Sequence, residues 1–534
     1  MKSKNKVLPI GIGEIKNAYK TMLNYKESKR SLEQRIIENE EWYKLRYGYL
    51  SSEDDTDKNS AWLFNSIVNK HADAMDSYPE PNVLAREKDD EQQAKIFSSI
   101  LPVILEQRGF EQTYSDVWWY KLKTGTGVYG VFWNKELENG LGDVDIKQLD
   151  ILNLFWEPGI KYIEQSSNVF YATAVDKNSL INEYPDLKEK IQKGFSELAA
   201  YRLEDGIPDQ SKALVIDWYY KKKVGNKTQL HYCKFSGEAL LFASENEPQY
   251  YEKGFYDHGK YPIVFDTLFV TENSPAGFGY VDIMKGCQRS IDRLDKAIER
   301  NAIMGETPRW FISDSAGINE EEYADWSRPF VHTTGRIDDQ TLKQVSVQDV
   351  SQNALQLLQF KVEELKETSG NRDFSQGSTN YGVTAASAIL ALQEAGSKLS
   401  RDMIKSSFRA YSNICYLILE LIRQFYTEPR SFRILGKGGR TDYITYQNTA
   451  GSLGRNVFAN HYPIFDIHIV PQKQNPYQKA QQNELAKELF GLGMLDPSRR
   501  EEAKMAIKLM DFHGKEELLN RLSEDEQVLE GDRV

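Results

Sequence analysis

The first quarter of the chain carries apolar residues at the 3.6-residue spacing of amphipathic helices. Proline limits two of these segments, because Pro79 stops one and Pro102 is expected to kink or split the other. The pattern predicts helices over residues 13–50, 65–75 and 88–123.

After residue 125 the spacing changes from 3.6 to two, which is typical of strands. Alternating or β-branched runs occupy residues 127–134, 142–151, 154–159, 213–223, 228–235 and 262–270. A helical beginning therefore leads into a β-rich module, and the fold class predicted is α+β.

Two further amphipathic helices flank a short mixed segment. The first covers residues 279–304 and carries one apolar stripe, made of Ile283, Cys287, Ile291, Leu294 and Ile298. The second covers residues 349–368, with Gly370 as its C-cap. Between them, "PRWFIS" and "RPFVHTT" are predicted strands around an acidic stretch, "NEEEYADW".

A polar, glycine-containing loop, residues 370–382, follows the second helix. It leads into a very long predicted helix over residues 383–427, whose apolar positions keep the helical period throughout. A short strand is predicted at residues 465–470, and the chain from residue 476 has a helical, highly charged pattern.

Composition and charge narrow the classes of protein. Of 534 residues, 40% are hydrophobic and 27% charged, as in globular proteins. The net charge of −12 argues against nucleic-acid binding over the whole surface. Three widely spaced cysteines favour neither a disulfide framework nor a zinc site and fit a reducing compartment. We find no transmembrane helix, and the apolar stretch near residue 10 is too short for a signal peptide.

One motif points to nucleotide chemistry. Gly125, Gly127 and Gly130 match G-x-G-x-x-G, the phosphate-binding fingerprint of dinucleotide-binding domains. That fingerprint needs a strand before the glycines and a helix after them. Here a helix precedes and a strand follows, so we interpret the segment as a helix-to-strand turn. A nucleotide-binding enzyme would instead require a strand before Thr124.

No other residues form a set suited to catalysis or metal binding. His461 and His468 are seven apart, and a structural role is favoured over metal coordination. Asp143 and Asp145 share one strand face without a partner histidine, which fits a solvated surface. The sequence thus predicts no enzyme, no cofactor and no metal.

The order of segments resembles the portal proteins of tailed bacteriophages over nearly the whole chain. The resemblance rests on "NSIVNKHADAMDSYPEPNVL", "TGTGVYGVFWNKE", "GDVDIKQLDILNLFWEPG", "GFGYVDIMKGCQRSIDRLDKAIERNAIMGETPRWFI" and "FDIHIVPQKQNPYQKAQQNELAKELFGLGML". It implies a wing (1–270), a first stem helix (271–304), a clip (305–348), a second stem helix (349–369), a tunnel loop (370–382), a long helix with returning wing strands (383–475) and a helical crown (476–534).

The resemblance also implies a function and partners. Portal subunits form a ring, typically of twelve, at one capsid vertex, where the ring is a channel for packaging and ejecting double-stranded DNA. The implied partners are other copies of the chain, weakly and non-specifically bound DNA, the large subunit of the terminase, the head–tail adaptor and the capsid or scaffolding protein. The implied location is the virion, after assembly in the bacterial cytoplasm, without a membrane.

Candidate site residues follow from the same resemblance. The tunnel loop would present Asn371, Arg372, Ser375, Gln376, Ser378, Thr379 and Asn380 to DNA, unless it is an ordinary surface connector. Two stem residues, Lys296 and Arg300, would meet phosphates or else belong to a solvated helix face. In the clip, terminase or adaptor docking would involve Trp310, Glu320, Glu321, Glu322 and Trp326, with a small packed lobe as the alternative.

Two rival functions remain open from the sequence. Another ring-forming head–tail connector would assemble similarly, but such proteins are usually shorter and lack paired stem helices around an insertion. A nucleotide-binding enzyme would use residues Gly125 to Gly130.

Overall fold

The structure is a computed structural model that describes most of the chain up to residue 473. The described residues are 9–46, 60–192, 211–225, 227–306, 310–314, 317–325, 327, 329–336, 338, 342–344, 350–370, 398–435, 441–447, 465–473, 488, 491, 504 and 507. The chain divides into one unit of Met1–Ala74 with Pro81–Ile469 and a second of Met75–Glu80 with Val470–Val534.

Five helices and one strand form the beginning of the chain. They are α1 (Ile12–Ser28), α2 (Arg30–Tyr43), α3 (Trp62–Met75), β1 (Ser77–Ala85), α4 (Glu91–Gln107) and α5 (Phe110–Thr124). Of the two outcomes expected for Pro102, a kink or a split, the split does not occur, since Pro102 lies inside α4. The break comes at Gly109, whose φ of 62° is left-handed and therefore suited to glycine.

Two antiparallel sheets follow. Their strands are β2 (Thr126–Asn134), β3 (Asp143–Gln148), β4 (Leu154–Trp156), β5 (Asn168–Asp176), β6 (Lys212–Val224), β7 (Lys227–Ser236), β8 (Ala239–Ala243) and β9 (Ile263–Thr267). The order is β3-β2-β9 in one sheet and β4-β5-β6-β7-β8 in the other. Short helices α6 (Lys177–Glu183) and α7 (Lys188–Gln192) lie between β5 and β6 along the chain, and α8 (Pro248–Tyr251) lies between β8 and β9.

One face of the five-stranded sheet is covered by α1. Alternate residues of the strands, among them Phe170, Trp218 and Phe235, point into this core because successive strand side chains face opposite sides. Helix α1 contributes Ile15 and Met22, both at most 1% exposed. The register of β6 and β7 brings Trp218 opposite Cys233 and keeps the apolar face continuous.

A second core surrounds α5. Trp118 and Phe110 are fully buried, and Phe110 lies against Tyr129 of β2 and Tyr411 of a later helix, with ring centroids 5.9 and 5.6 Å apart. Aromatic side chains each remove a large apolar area from water, so this cluster is a principal source of stability. It joins the helical beginning to the three-stranded sheet.

The predicted helical pair and its insertion are present. They comprise α9 (Tyr280–Glu306), β10 (Trp310–Ile312), α10 (Glu320–Ala324), β11 (Leu342–Gln344) and α11 (Gln352–Ser369). One predicted strand is wrong: residues 329–334 of "RPFVHTT" form an isolated bridge, Ile318 to Thr333, and no strand. Strand β10 pairs with β11. Gly370 caps α11 in the left-handed conformation, as predicted.

The remaining described elements are α12 (Lys398–Phe425), β12 (Arg430–Leu435), β13 (Thr441–Tyr446) and β14 (Phe465–Lys473). The predicted apolar stripe of α12 is buried at Met403, Tyr411, Cys415, Ile418 and Ile422. Strands β12 and β13 form an antiparallel hairpin, and β14 pairs with β1. In the second unit, the described residues are 75–80, which include the start of β1, residues 470–473 at the end of β14, and the four single positions 488, 491, 504 and 507.

Candidate DNA-channel and docking residues

Helix α9 is held to the start of α3 by buried polar side chains. The Gln288 side chain accepts a hydrogen bond from the Leu63 backbone N–H at 3.0 Å and donates to Ser60 at 2.8 Å. Asp292 accepts from both the N–H and the hydroxyl of Ser60, at 3.0 and 2.7 Å. Because buried polar groups need partners, these bonds fix the position of α9.

This network corrects the predicted stripe of α9. The buried side of the helix runs through Val281, Met284, Gln288 and Ile291, whereas Ile283 is 40% exposed. The apolar pattern misplaced the buried face because two of its polar residues have partners far away in the sequence. Amphipathicity identified the helix but not the residues that attach it.

Helices α9 and α11 pack against each other. The Cys287 thiol donates to the Lys361 carbonyl oxygen of α11 at 3.1 Å, and Leu365 is 1% exposed. Partial burial raises the pKa of Cys287, mainly by desolvation. The thiol is therefore held in its neutral, donating form, which suits its role between the two helices.

The ends of these two helices leave large apolar side chains in solvent. The exposed fractions are 56% for Ile303, 41% for Met304, 43% for Leu355, 46% for Leu357 and 64% for Phe360. Scattered apolar residues are common on protein surfaces, but five of them on one helical pair are an unusual concentration. Leu357 and Phe360 are three positions apart and share one side of α11, whereas Leu355 lies on another side.

The two candidate stem residues lie in the same part of α9. Lys296 is half-buried and Arg300 is exposed. They are four residues apart, so they share one side of the helix. The structure thus places both on one face of α9.

In the lobe between α9 and α11, Glu320 and Glu321 of α10 are exposed, and Trp310 of β10 is 39% exposed. Glu322 differs from its neighbours, because its carboxylate accepts from the His332 backbone N–H at 2.8 Å and lies 2.7 Å from the His332 ring nitrogen Nδ1. Glu322 therefore ties the lobe together rather than extending an acidic rim. Trp326 lies outside the described residues.

The candidate tunnel-loop residues also lie outside the described part of the chain. These are Asn371, Arg372, Ser375, Gln376, Ser378, Thr379 and Asn380. Their role stays a prediction.

A comparison with protein families identifies the family to which this chain belongs. The model for the phage P22-like portal protein family matches residues 67–532, which is most of the chain and includes both stem-like helices and the lobe. The chain belongs to the phage P22-like portal protein family. No curated protein matches it. The match is to portals rather than to a shorter head–tail connector.

Membership in this family indicates the assembly and the location of the protein in general terms. Proteins of this family assemble as oligomeric rings in the phage capsid, so the chain is a virion component. The family is structural rather than enzymatic. In the described ranges, no cluster of His, Cys, Asp or Glu side chains could hold a metal ion. None of the helices described is long and apolar enough to span a membrane.

The glycine motif of the portal chain is a turn. Helix α5 precedes it and β2 follows it, so the strand that a nucleotide-binding enzyme requires before Thr124 is absent there. Gly125 has φ of 90°, and a Cβ atom on it would lie 2.1 Å from the Phe278 carbonyl carbon. Glycine is needed here because the segment before α9 passes directly over the end of α5.

Sequence reasoning missed the residues that attach the long helix α12. Ser407 donates to Asp266 of β9 and accepts from Lys121 of α5, and all three side chains are buried. Ser400, seven positions earlier, is buried as well. The signal was present in the sequence as two serines on an otherwise apolar helix face.

Proposed function

We propose that this portal chain assembles into a ring, typically of twelve subunits, that forms the channel for double-stranded DNA at one capsid vertex. The observation that carries the proposal is the exposed apolar surface on the paired helices α9 and α11, here called the stem surface: Ile303, Met304, Leu355, Leu357 and Phe360. A neighbouring subunit would cover this surface, because burying each large side chain contributes about 1.5–3 kcal/mol.

The two-stranded sheet of the lobe supports a second inter-subunit contact. Strands β10 and β11 pair only with each other among the described elements, so each has an outer edge with unpaired backbone groups. Phe311 of β10 and Phe330 of the same lobe are 71% and 76% exposed. Strand pairing between neighbouring lobes would satisfy those edges.

Weak contact with DNA is consistent with the charge of the chain. A channel must let DNA slide, and each neutralised phosphate adds to affinity. A net charge of −12 limits that affinity, and acids such as Glu299 alternate along α9 with basic residues such as Arg300. In this proposal Lys296, Arg300 and the polar loop 370–382 line the bore.

The lobe is the proposed docking site for the terminase large subunit and later for the head–tail adaptor. The exposed carboxylates of Glu320 and Glu321, and the 39% exposed Trp310 of the same lobe, support this role. Aromatic side chains are enriched at interface centres, and charges steer the approach of a partner.

The assembly is tested by native mass. Mass photometry with negative-stain images should give a species near twelve times the chain mass of 61.5 kDa, with a central hole. Phe360→Glu should prevent or weaken this assembly, because it places a charge in the stem surface. The matched control is Gln359→Glu at the next position, which is exposed and polar and should assemble normally.

The outcomes separate clearly. A chain that stays monomeric when concentrated and mixed with scaffolding protein would refute the ring. Equal assembly of Phe360→Glu and Gln359→Glu would remove the stem surface from the interface.

The channel and docking roles are tested on assembled rings. Glu320→Lys with Glu321→Lys should weaken terminase binding, whereas Glu363→Lys, an exposed acid on α11, should not. Arg300→Glu should reduce DNA retention and its salt dependence, because one phosphate contact per subunit is lost. Unchanged terminase binding or unchanged salt dependence would count against the respective role.

A further inference from the structure

Helix α12 is attached to the rest of the fold by two similar groups of side chains. The first anchor consists of Lys70, Asp73 and Ser400, and the second of Lys121, Asp266 and Ser407. Seven residues separate the serines, so they lie about two turns apart on one face of α12. In both anchors the serine accepts from the lysine and donates to the aspartate.

The second anchor is closed and dry. Lys121 Nζ is 2.7 Å from Asp266 Oδ1 and 2.7 Å from Ser407 Oγ, while Ser407 Oγ is 2.6 Å from Asp266 Oδ2. The Lys121 and Asp266 side chains are 0% and 1% exposed. No water reaches these groups to replace a lost partner, so separating them leaves buried unpaired charges.

The first anchor is open on one side. Lys70 is 2% exposed, but the Asp73 side chain is 48% exposed, and the two charged atoms are 3.7 Å apart. Ser400 Oγ accepts from Lys70 Nζ at 3.0 Å and donates to Asp73 Oδ2 at 2.7 Å. Because Asp73 stands in solvent, water can take the place of Ser400 at its carboxylate. Releasing this anchor therefore costs less than releasing the second.

We propose that α12 contains a built-in release point: residues 398–406 separate from α3 at the first anchor, while the second anchor keeps residues 407–425 in place. The short spacing of the anchors confines the opening to about two turns. The opening exposes the buried side chains of Met403 and Ile404 and breaks the 3.4 Å hydrogen bond from Ser406 to the Thr267 carbonyl oxygen, but it leaves the buried stripe from Tyr411 to Ile422 undisturbed. This inference concerns one subunit and does not depend on the ring or its partners.

The test compares two identical substitutions by hydrogen–deuterium exchange of the full-length protein. In the wild type, amides of residues 402–406 should exchange faster than those of 411–425. Ser400→Ala should accelerate exchange at 402–406 about tenfold and leave 411–425 unchanged, since one hydrogen-bonding group is lost at the open anchor. Ser407→Ala should accelerate exchange in both segments.

A second variant, Asp73→Asn, tests the first anchor independently of Ser400→Ala. Asp73→Asn keeps the shape of its side chain while removing the charge, and it should also accelerate exchange only at residues 402–406. The proposal is overturned if wild-type protection is equal in the two segments. It is also overturned if Ser400→Ala or Asp73→Asn leaves the exchange at residues 402–406 unchanged, or accelerates exchange in both segments alike. A third contrary result is that Ser407→Ala accelerates exchange in one of the two segments only.

Discussion

The buried pair of Lys121 and Asp266 offers the sharpest test of the fold. Replacing Lys121 by methionine keeps most of the side-chain volume and removes the ammonium group. Asp266 would then remain buried at 2% exposure, with a charge that the hydrogen bond from Ser407 offsets only in part. We expect Lys121→Met to lower the free energy of unfolding substantially.

The magnitude follows from the geometry. Three contacts of 2.6–2.7 Å satisfy the two charges, and burial lowers the pKa of Lys121 against the opposing effect of Asp266. Removing one partner of such a pair costs about 3–5 kcal/mol, whereas replacing both partners is often nearly neutral. Lys121→Met with Asp266→Asn should therefore be less destabilised than Lys121→Met alone.

The assay is urea denaturation followed by tryptophan fluorescence. Trp118 is a local probe, because Lys121 Nζ lies 4.3 Å from the centre of its ring. The wild type, the two single variants and the double variant complete a double-mutant cycle. A coupling energy of at least about 2 kcal/mol is expected for this pair.

Two results would refute the reasoning. One is a loss below about 1 kcal/mol for Lys121→Met, which would mean that the site is hydrated or the pair is not buried. The other is simple addition of the two single effects in the double variant.

Two further predictions concern single residues. Lys29 donates to three backbone carbonyls, those of Ile151, Leu152 and Leu154, and desolvation lowers its pKa to about 8 from 10.5. Between those two pH values the unfolded chain binds more protons than the folded chain, so stability rises with pH. Relative to Lys29→Met, the free energy of unfolding of the wild type should increase by about 2.5 kcal/mol from pH 7 to pH 10. A difference between the two proteins that stays constant with pH would contradict the pKa shift. Gly125→Ala should prevent normal folding because of its φ of 90° and the Phe278 backbone, whereas Gly286→Ala, with open space in α9, should stabilise by about 0.5–1 kcal/mol. Thermal unfolding distinguishes these two variants, and equal melting temperatures would show that Gly125 is not constrained.

Periodicity alone determined the type of most elements. The helical spacing of α9, α11 and α12 and the alternation of β2, β6 and β7 were readable because one face of each element is mostly apolar. The order of these elements also carried the resemblance to portal proteins, which the family match over residues 67–532 confirmed. The candidate stem and docking residues followed from that resemblance and stay predictions.

Tertiary structure decided which polar residues are buried and which strands pair. Lys70 meets Ser400 across 330 positions, and Gln288 meets Leu63 across 225. A local pattern cannot report such partners, so it placed Ile283 in the apolar stripe and left out Gln288, which is buried. The pairing of β10 with Leu342–Gln344 likewise depends on backbone hydrogen bonds between distant segments. The burial of a lysine depends on whether the folded chain supplies its acceptors, and only the complete fold brings those acceptors together.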